Sequence, residues 1–385
     1  MSWQKVPLGE LAVTRGGSVN PAKFPDETFE LFSIPAYDDG AAEVCPGSAI
    51  GSSKKYVEEN DVLISRIVPH IRRSWVVGPS KGYRQIASGE WIQFRSSDVF
   101  PEYLRHFLMA DPFHSQFMRT VSGVGGSLLR ARPAEVYKIP VPIPPLKEQK
   151  RIAKILDAAD ALRAKRRESL AQLDALLQSA FLDLFGDPVS NPKNWQARPL
   201  GEMMRIRRGG SPRPIDKYLG GSVNWIKIGD ATRSGDDIYI SSCAEKITEE
   251  GLSKTTFLEE GSFVFANSGV SLGFARILKV KGAIHDGWLA FDQFSDDLLN
   301  KLFFLKALNQ ITLHFRRMAP SGTQPNLNTG IMKSFMMIVP PIELQNQFAK
   351  FVEGVERQKA LLRNHLEELD LLMGSLQRET FSMEL

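Results

Sequence analysis

Two long stretches of the chain place apolar residues at the spacing of an amphipathic helix. In each stretch the apolar residues recur at steps of three and four, which aligns them along one face of an α-helix. They are Ile152, Ile155, Ala159, Leu162, Leu170, Leu173, Leu176, Ala180 and Leu184 in the first stretch, and Leu344, Phe348, Phe351, Val355, Leu362, Leu366, Leu369, Leu372 and Leu376 in the second. The pattern predicts two helices of about 35 residues, each roughly 50 Å long.

The apolar stripe on each predicted helix needs a partner along its length. A small globular domain cannot cover about 50 Å of helix, so the simplest partner for each helix is the other one, packed as in a coiled coil. Globular sequence separates the two helices, and each helix leads away from its own globular unit. We therefore expect an antiparallel pair. The alternative is that each helix packs on its own domain.

The chain also repeats itself in a fixed order. WQKVPLGEL from Trp3 returns as WQARPLGEM from Trp195, identical at six of nine positions at an offset of 192 residues. Further matches are Gly16-Gly17-Ser18 with Gly209-Gly210-Ser211, YVEENDVLIS from Tyr56 with FLEEGSFVFA from Phe257, and PPLKEQKRIAKIL from Pro144 with PPIELQNQFAKFV from Pro340. Because the order is kept throughout, the whole unit is duplicated.

Within each copy the pattern predicts strands first and a helix late. Short runs such as SWVVG from Ser74 and SFVFA from Ser262 are rich in strand-forming residues and are separated by Gly, Pro and Asp turns. Helical patterns follow near residues 102–118 and 297–318. The predicted fold class is α+β, with globular domains at residues 1–145 and 191–341. The long helices, with a linker after the first, take residues 146–190 and 342–385.

Composition narrows the class of protein. The chain has 385 residues, of which 43% are hydrophobic and 24% charged, as in ordinary globular proteins. It contains no apolar run long enough to span a membrane and no signal-peptide pattern at Met1, so we expect a cytoplasmic protein. Its two cysteines, Cys45 and Cys243, lie in different copies, which argues against a zinc site.

Charge is uneven along the chain. The net charge is +4 overall, and the four segments carry +1, +1, +5 and −3 in chain order. A second globular domain at +5 could face phosphates, whereas the acidic last helix is better suited to face protein.

The sequence lacks the common catalytic motifs. It has no GxxxxGK[ST] phosphate loop and no Asn/Asp-Pro-Pro-aromatic motif of amino-methyltransferases, and its six histidines are scattered. We therefore predict a non-catalytic chain with no metal of its own.

Side chains suited to DNA are concentrated in predicted turns. Arg and Lys position a protein on phosphates, and Arg, Lys, Asn, Gln and Ser can meet base edges. The candidates are Arg15, Arg66, Arg72, Arg73, Arg84, Arg130 and Arg132 in the first copy, and Arg207, Arg208, Arg213, Lys227, Arg233, Asn267, Ser268, Arg276, Arg316, Arg317 and Gln324 in the second. The loops after Ser65 and Ala266 differ between matching flanks, as expected for two readers of different sequences. Drift of solvated loops predicts the same.

These motifs resemble the specificity subunits of type I restriction–modification systems. The resemblance rests on PPLKEQKRIAKIL before a long helix, on FLDLFGDPVSNPKNW from Phe181 into the second copy, on WxxxPLGE opening each copy, and on the duplication. It covers nearly the whole chain. It implies two target recognition domains, each reading one half of a split, asymmetric site on double-stranded DNA, and a helix pair that fixes the unread gap.

The resemblance also implies partners. Methylation subunits, expected to be two, would dock on the helices and in turn assemble with restriction subunits. We expect the docking residues to be Gln149, Ile152, Gln345 and Phe348. The partner subunits, and not this chain, would use S-adenosylmethionine, ATP and Mg²⁺. The alternatives are a coiled-coil adaptor with two protein-binding ends, and an enzyme with an unrecognised site.

Overall fold

The computed structural model describes residues 3–123, 129–232, 237–319 and 326–381. Two of the predicted DNA contacts, Arg233 and Gln324, lie outside these ranges. The chain forms two compact units. Unit 1 contains the residues up to Arg166 together with those from His365, and unit 2 contains Arg167–Asn364. Each unit therefore combines one globular domain with a segment of both long helices.

Unit 1 holds the first globular domain. Its strands are β1 (Gln4–Pro7), β2 (Ser18–Val19), β3 (Thr28–Phe32), β4 (Glu43–Pro46), β5 (Lys54–Tyr56), β6 (Val62–Ser65), β7 (Ser74–Val76), β8 (Arg84–Ala87), β9 (Trp91–Phe94), β10 (Val121–Ser122), β11 (Arg130–Ala131) and β12 (Pro140–Ile143). Its helices are α1 (Ile34–Asp38), α2 (Pro101–Met109), α3 (Asp111–Arg119) and α4 (Pro133–Val136), with 3-10 turns at Leu8–Leu11, Pro21–Lys23 and Gly47–Ala49. The first long helix, α5 (Leu146–Phe185), follows.

Unit 2 holds the second globular domain. Its strands are β13 (Ala197–Pro199), β14 (Arg205–Arg208), β15 (Leu219–Ile226), β16 (Tyr239–Ile240), β17 (Glu245–Ile247), β18 (Thr256–Leu258), β19 (Phe263–Ala266), β20 (Ala275–Leu278), β21 (Gly282–Ile284), β22 (Trp288–Asp292) and β23 (Met336–Ile338). Its helices are α6 (Leu200–Met203), α7 (Ile228–Ala231), α8 (Lys301–Gln310), α9 (Thr312–Met318) and α10 (Thr329–Ser334), with 3-10 turns at Ile215–Lys217, Glu249–Lys254 and Gly269–Ser271. The second long helix is α11 (Ile342–Phe381).

The strand pairings of the two domains match. In unit 1, β3 pairs parallel with β8 and antiparallel with β4, while β6 pairs antiparallel with β7 and β9. In unit 2, β15 pairs parallel with β21 and antiparallel with β17, while β19 pairs antiparallel with β20 and β22. The α+β duplication predicted from the sequence is confirmed.

The late helix predicted in each copy is interrupted in the structure. The pattern near residues 102–118 forms α2 and α3, which meet at Ala110, and Pro112 lies in the first turn of α3. Proline has no N–H to donate to the carbonyl four residues earlier and is tolerated in the first turn of a helix, which explains a new helix starting there. In the second copy α8 ends at Ile311, where α9 begins.

The repeated WxxxPLGE motif fastens the start of each domain to its end. Its strands β1 and β13 pair antiparallel with β12 and β23. Leu8 and Leu200 are fully buried. A Cβ added at Gly9 would lie 3.1 Å from the Cβ of Tyr137, and one at Gly201 would lie 3.1 Å from the Cβ of Lys333. Only glycine fits both approaches without a shift of the neighbour.

The two long helices pair antiparallel within each unit. In unit 2, Lys359 Nζ lies 2.5 Å from Asp174 Oδ1, and the rings of Phe181 and Phe348 are 5.6 Å apart. The partners on α11 therefore run backwards as α5 runs forwards, as predicted. Each helix also packs on its domain, so the alternative from the sequence holds in part as well.

A phenylalanine at the end of each long helix completes the core of a domain. Phe381, at the end of α11, is fully buried in unit 1, with its ring 5.6 Å from those of Tyr103 and Phe107. Phe185, at the end of α5, is fully buried in unit 2, with its ring 4.7 Å from that of Phe303. Each core thus needs both helices.

A buried glutamine joins the start of α5 to the loop before α2. The backbone N–H of Phe100 donates to Gln149 Oε1 at 2.7 Å. Gln149 Nε2 donates to the carbonyl oxygens of Asp98, at 3.0 Å, and Pro144, at 2.8 Å. The side chain is fully buried, so these bonds replace the water that each group has lost.

The second copy repeats this arrangement bond for bond. The N–H of Asn300 donates to Gln345 Oε1 at 2.9 Å. Gln345 Nε2 donates to the carbonyl oxygens of Leu298, at 2.9 Å, and Pro340, at 2.7 Å. We call each set of three hydrogen bonds a glutamine clamp.

The clamps correct the docking residues expected from the sequence. Gln149 and Gln345 are 0% exposed and use their amide groups inside their own unit. Ile152 and Phe348 are 4% and 1% exposed and belong to the apolar cores. A partner could reach these four side chains only by opening a core, so they are packing residues.

We expect Gln149→Leu to lower the free energy of unfolding of unit 1 by about 3 kcal/mol, because it leaves three backbone groups without a partner, each costing about 1–3 kcal/mol when buried. Gln345→Leu should do the same in unit 2. Urea denaturation measures both, with exposed Lys147→Ala as the control. A loss no larger than the control's would contradict the clamp.

Candidate nucleic-acid interface

Two of the residues predicted to contact DNA are not available at the surface. The Arg73 side chain is 10% exposed and donates to both carboxylate oxygens of Asp38, at 2.7 and 2.8 Å. Asn267 is 0% exposed and lies at the end of β19, where its carbonyl oxygen accepts from the N–H of Leu327. Both predictions were wrong, because burial and internal bonding were invisible in a loop pattern.

Six further candidates carry ion pairs inside their own domain while staying partly exposed. They are Arg66 and Arg130 with Glu90, Arg72 with Asp111, Arg84 with Glu27, Arg207 with Asp292, and Lys227 with Glu245. Their side chains are 33–39% exposed. A phosphate could still share such a cation, but the internal carboxylate offsets part of the charge that it offers.

Glu90 shows how firmly one of these groups is organised. Burial by itself raises the pKa of this carboxyl, but the hydrogen bond from Arg130 and the charge of Arg66 outweigh burial and leave the pKa below its ordinary value. The carboxylate therefore stays ionised. It fixes the loop after β6 against β11, where Ile67 and Arg130 form an isolated bridge.

The remaining described candidates are more open. They include the exposed residues Arg15, Arg132, Arg208, Arg213 and Arg317. Ser268 and Arg276 are partly exposed. Arg276 and Arg316 donate to the backbone carbonyls of Ala275 and Leu272. Within the described ranges, the guanidinium groups of Arg15, Arg213 and Arg317 have no hydrogen-bond or ion-pair partner. Arg132 and Arg208 donate only to the carbonyl oxygens of Thr120 and Asp286. These five present the most complete positive charge, and their role in binding stays a prediction.

Arg208, Arg213 and Lys227 come together in space. Arg213 and Lys227 line one cavity of about 160 Å³ in unit 2, and Arg208 donates at 3.4 Å to the carbonyl of Asp286, the residue after the cavity-lining His285. In the sequence these three cations lie on separate turns and strands, and no pattern indicated that they are neighbours in space.

The sequence pattern missed a pair of ionic networks that repeat between the copies. In unit 1, Arg163 bonds Asp160 at 2.9 Å and Asp370 at 2.5 Å. In unit 2, the equivalent Lys359, 196 residues later, lies 3.3 Å from Glu356 and 2.5 Å from Asp174. The acidic partners obey the same offset. Since antiparallel packing alone brings these residues together, only the pairing register could have revealed them.

Each network also reaches a helix of the globular domain, α2 in unit 1 and α8 in unit 2. In unit 1, His106 Nε2 and Arg105 Nη2 of α2 lie 2.7 and 2.8 Å from Asp157 of α5. In unit 2, Lys306 Nζ of α8 lies 3.6 Å from Glu356 of α11. The domains are thus fixed to the long helices by charge as well as by the glutamine clamps.

Five of the apolar residues that the sequence pattern assigned to the seam between the long helices are exposed to solvent. They are Ile155, Leu162, Leu176, Phe351 and Leu372. Ile155 and Phe351 are related by 196 residues and are 40% and 39% exposed, and Leu176 and Leu372 share that offset at 47% and 50%. Each unit therefore presents the same two apolar positions to solvent.

The described residues contain no cluster of His, Cys, Asp and Glu suited to a metal ion. Among the same residues, no helix has the length and apolar character needed to cross a bilayer.

Two copies of one α+β fold, each completed by a segment of both members of an antiparallel helix pair, define a duplicated scaffold with arginine-rich turns. The family model for the type I restriction modification DNA specificity domain matches residues 2–173 and again 192–371. The chain therefore belongs to this family.

Two proteins similar to this chain are specificity subunits of type I restriction enzymes. The chain is 23% identical over 276 residues to the type I restriction enzyme MjaIX specificity subunit of Methanocaldococcus jannaschii, covering 66% of this chain and 62% of that protein. It is 21% identical over 393 residues to the MjaVIII specificity subunit of the same organism, covering 96% and 89%. The first alignment thus spans less than two thirds of the relative.

Solved structures share the fold. A chain from work on complex assembly and conformational transition of the type I R-M system aligns with 100% of this chain and 98% of its own length, at a TM-score of 0.62 and 21% identity. The type I restriction–modification S subunit from M. genitalium aligns over 100% and 97%, at a TM-score of 0.59 and 14% identity.

We expect Lys359→Met to destabilise unit 2, since it removes the cation shared by Asp174, Asp237 and Glu356. Loss of one partner from a fully buried pair costs about 3–5 kcal/mol. The aspartates here are half exposed, so we expect about 2 kcal/mol, measured by urea denaturation at pH 7 with exposed Lys350→Met as the control.

The stability that Lys359 contributes should depend on pH. Burial lowers the pKa of Lys359, but the hydrogen bond to Asp174 and the charges of Glu356 and Asp237 outweigh burial and raise it. Its contribution is therefore complete below the ordinary lysine pKa of about 10.5 and is lost as pH rises through the raised value. The difference in stability between wild type and Lys359→Met should shrink above that pH. A constant difference would contradict the ionic origin.

Proposed function

We propose that this chain is the specificity subunit of a type I restriction–modification system. It reads a split, asymmetric DNA site and confers that choice on methylation subunits. The observation that carries the proposal is the duplication itself. Two domains have matching strand pairings and matching attachments to the long helices, yet they differ in the side chains of their turns. A protein that reads two unlike half-sites needs this combination of a repeated scaffold and divergent contacts.

DNA contact is assigned to the exposed arginines of each domain. Arg15 and Arg132 in unit 1, and Arg208, Arg213 and Arg317 in unit 2, keep their charge available for phosphates. The second domain carries a net charge of +5 along residues 191–341 and the first only +1 along residues 1–145. Phosphate contact by a few cations gives modest affinity that falls steeply with salt.

We assign partner docking to exposed apolar residues that recur in both copies, instead of the four buried residues expected from the sequence. Ile155 and Phe351 occupy equivalent positions at equal exposure, and Leu176 and Leu372 do the same. Exposed apolar side chains of this size are typical of protein–protein contacts. Since each unit presents one member of both pairs, two copies of the same methylation subunit fit the surface. Restriction subunits then join through the methylation subunits.

The remaining chemistry belongs to the partners. In this proposal the chain supplies no reacting group, while the partner subunits bind S-adenosylmethionine, ATP and Mg²⁺, and the assembly works in the cytoplasm beside its DNA. The length of the helix pair sets the gap between the half-sites. The coiled-coil adaptor, the alternative from another class, has no use for exposed arginines on divergent turns and does not explain membership of this family.

Co-production of the chain with its methylation subunits should give adenine methylation at one gapped, asymmetric motif across the genome. Single-molecule sequencing of the cellular DNA reads this directly. The matched control is the same strain without this chain, where the motif should be unmethylated. A symmetric or ungapped motif would rule out two independent reading domains, and no methylation with an intact assembly would favour the adaptor.

Ile155→Glu and Phe351→Glu should each remove one methylation subunit, because a charge at an apolar contact leaves it buried without a partner. We expect the assembly to fall from two methylation subunits to one in either variant, and to none in the double variant, as weighed by mass photometry. Lys154→Ala and Lys350→Ala, exposed neighbours with the same offset, are the controls. Two subunits bound to the double variant would exclude these positions.

A further inference from the structure

The cavity in unit 2 joins side chains from four separate segments. Trp225 lies in the buried end of β15, Lys227 comes directly after this strand, Glu245 begins β17, and His285 comes directly after β21. Ser211 and Arg213 complete the wall from the loop after β14. The volume is about 160 Å³, which suits the edge of one base pair rather than an extended ligand.

The floor of the cavity is an ordered donor–acceptor pair. Lys227 Nζ is paired with Glu245 Oε1 and lies 4.6 Å from the centre of the Trp225 ring. The two side chains are 35% and 41% exposed, so solvent reaches both. The ammonium and the carboxylate therefore offer a hydrogen-bond donor next to an acceptor.

The residues around this pair are held by their own contacts. The Trp225 and His285 rings have centres 5.5 Å apart. His285 Nδ1 accepts from the N–H of Gly287 at 3.0 Å, so its Nε2 carries the hydrogen and donates to Asp286 Oδ1 at 3.0 Å. Burial lowers the pKa of His285, which keeps the ring neutral at pH 7. The same Asp286 oxygen accepts from Ser211 at 2.9 Å.

One wall has no room to move. A Cβ added at Gly209 would lie 2.1 Å from the carbonyl oxygen of His285, and one at Gly210 would lie 2.4 Å from that of Lys254. Only glycines allow the loop after β14 to pass this closely. The loop therefore delivers Ser211 and Arg213 to a fixed position.

One buried donor of a residue that lines the cavity has no acceptor within the described ranges. Trp225 is 4% exposed, and its indole N–H has no acceptor among the described residues. A buried donor without a partner is costly.

Two arginines at the edge of the cavity carry positive charge that no carboxylate of the described residues neutralises. The guanidinium of Arg213 is exposed and has no hydrogen-bond or ion-pair partner in the described part of the chain, and Arg208 lies nearby with only a backbone carbonyl as acceptor. Cations at a rim with a donor–acceptor pair behind them match the division of labour of DNA readers, in which phosphate contacts position the protein and base contacts specify.

The first domain has the same backbone here with other side chains. Trp225 pairs in register with Glu245 and Ala283, and its counterpart Leu31 pairs with Glu43 and Ile86. Lys227 lies two residues after Trp225, as Ser33 does after Leu31, and His285 lies two residues after Ala283, as Ser88 does after Ile86. The glutamate is kept and its neighbours are exchanged. Such a position can differ between two half-sites without disturbing the scaffold.

We infer that Lys227 and Glu245 read one base pair of the half-site bound by the second domain, with Arg213 on an adjacent phosphate; this rests on the proposed function. In the major groove every base pair presents an exocyclic amine beside a carbonyl or ring-nitrogen acceptor. Glu245 accepts from the amine and Lys227 donates to the neighbouring acceptor. Which base pair satisfies both in one geometry is set by the fixed walls.

The test is genome-wide methylation mapping with the full assembly. Glu245→Gln and Lys227→Met each remove the charge of one member of the pair, and the glutamine amide adds a donor where the carboxylate only accepts. A good bidentate contact is worth a discrimination of about 5- to 150-fold, so we expect methylation at sites with a wrong base at one position of the second half-site to rise by about tenfold or more. The first half-site and the gap should not change.

Three further variants sharpen the reading. Lys246→Ala, on an exposed neighbour that alternation points to the other face of β17, should leave the motif unchanged. Lys227→Arg should restore part of the selectivity. Arg213→Ala should weaken methylation of all sites alike and reduce the salt slope of DNA binding by about one.

The outcomes separate the inference from the function beneath it. An unchanged motif with uniformly weaker methylation, in both Glu245→Gln and Lys227→Met, would show phosphate contact alone and overturn base reading. Failure of the wild-type assembly to methylate any gapped motif would instead sink the proposed function. Should one variant fail to assemble with methylation subunits, the other decides, since the two remove opposite charges.

Discussion

The glutamine clamp is the constraint on which the rest of the structure depends. The start of α2 or α8 carries N–H groups without partners, and one carbonyl of the loop before that helix and one carbonyl before the long helix need donors. Gln149 and Gln345 satisfy three such groups each with one amide, at distances of 2.7–3.0 Å. No hydroxyl or carboxylate can donate twice and accept once with this reach. The clamp therefore fixes both the position of each long helix and the identity of its residue.

Once the helix starts are fixed, the helix ends follow. Phe185 and Phe381, 196 residues apart, each fill the core beneath a helix that the other copy supplies, α8 and α2 respectively. The ion pairs of Arg163 with Asp370 and of Lys359 with Asp174 then set the register of the antiparallel seam. A slip of one residue would separate both pairs and withdraw both phenylalanines. Packing and charge thus specify one alignment.

The sequence predicted the duplication, the α+β class and the antiparallel pairing because these follow from periodicity and repeated motifs. It failed where burial decides. Gln149 and Ile152 were expected at a partner surface because they lie in a shared motif, yet a motif that recurs in both copies is kept by internal bonds as readily as by a partner. Arg73 and Asn267 failed for a related reason, since a polar residue in a turn gives no sign of a neighbour such as Asp38 that lies 35 residues away.

The same distinction explains where the two copies are free to differ. Positions held by clamps, close glycine contacts or seam ion pairs make contacts in every direction, so a substitution there disturbs the scaffold of its unit. The cavity beside Trp225 is built on equally rigid strands, but its polar side chains end at solvent. Exchange of Trp225, Lys227 and His285 for Leu31, Ser33 and Ser88 leaves the pairing of the strands unchanged. A recognition surface can therefore vary only where rigid backbone carries side chains that no internal partner fully holds.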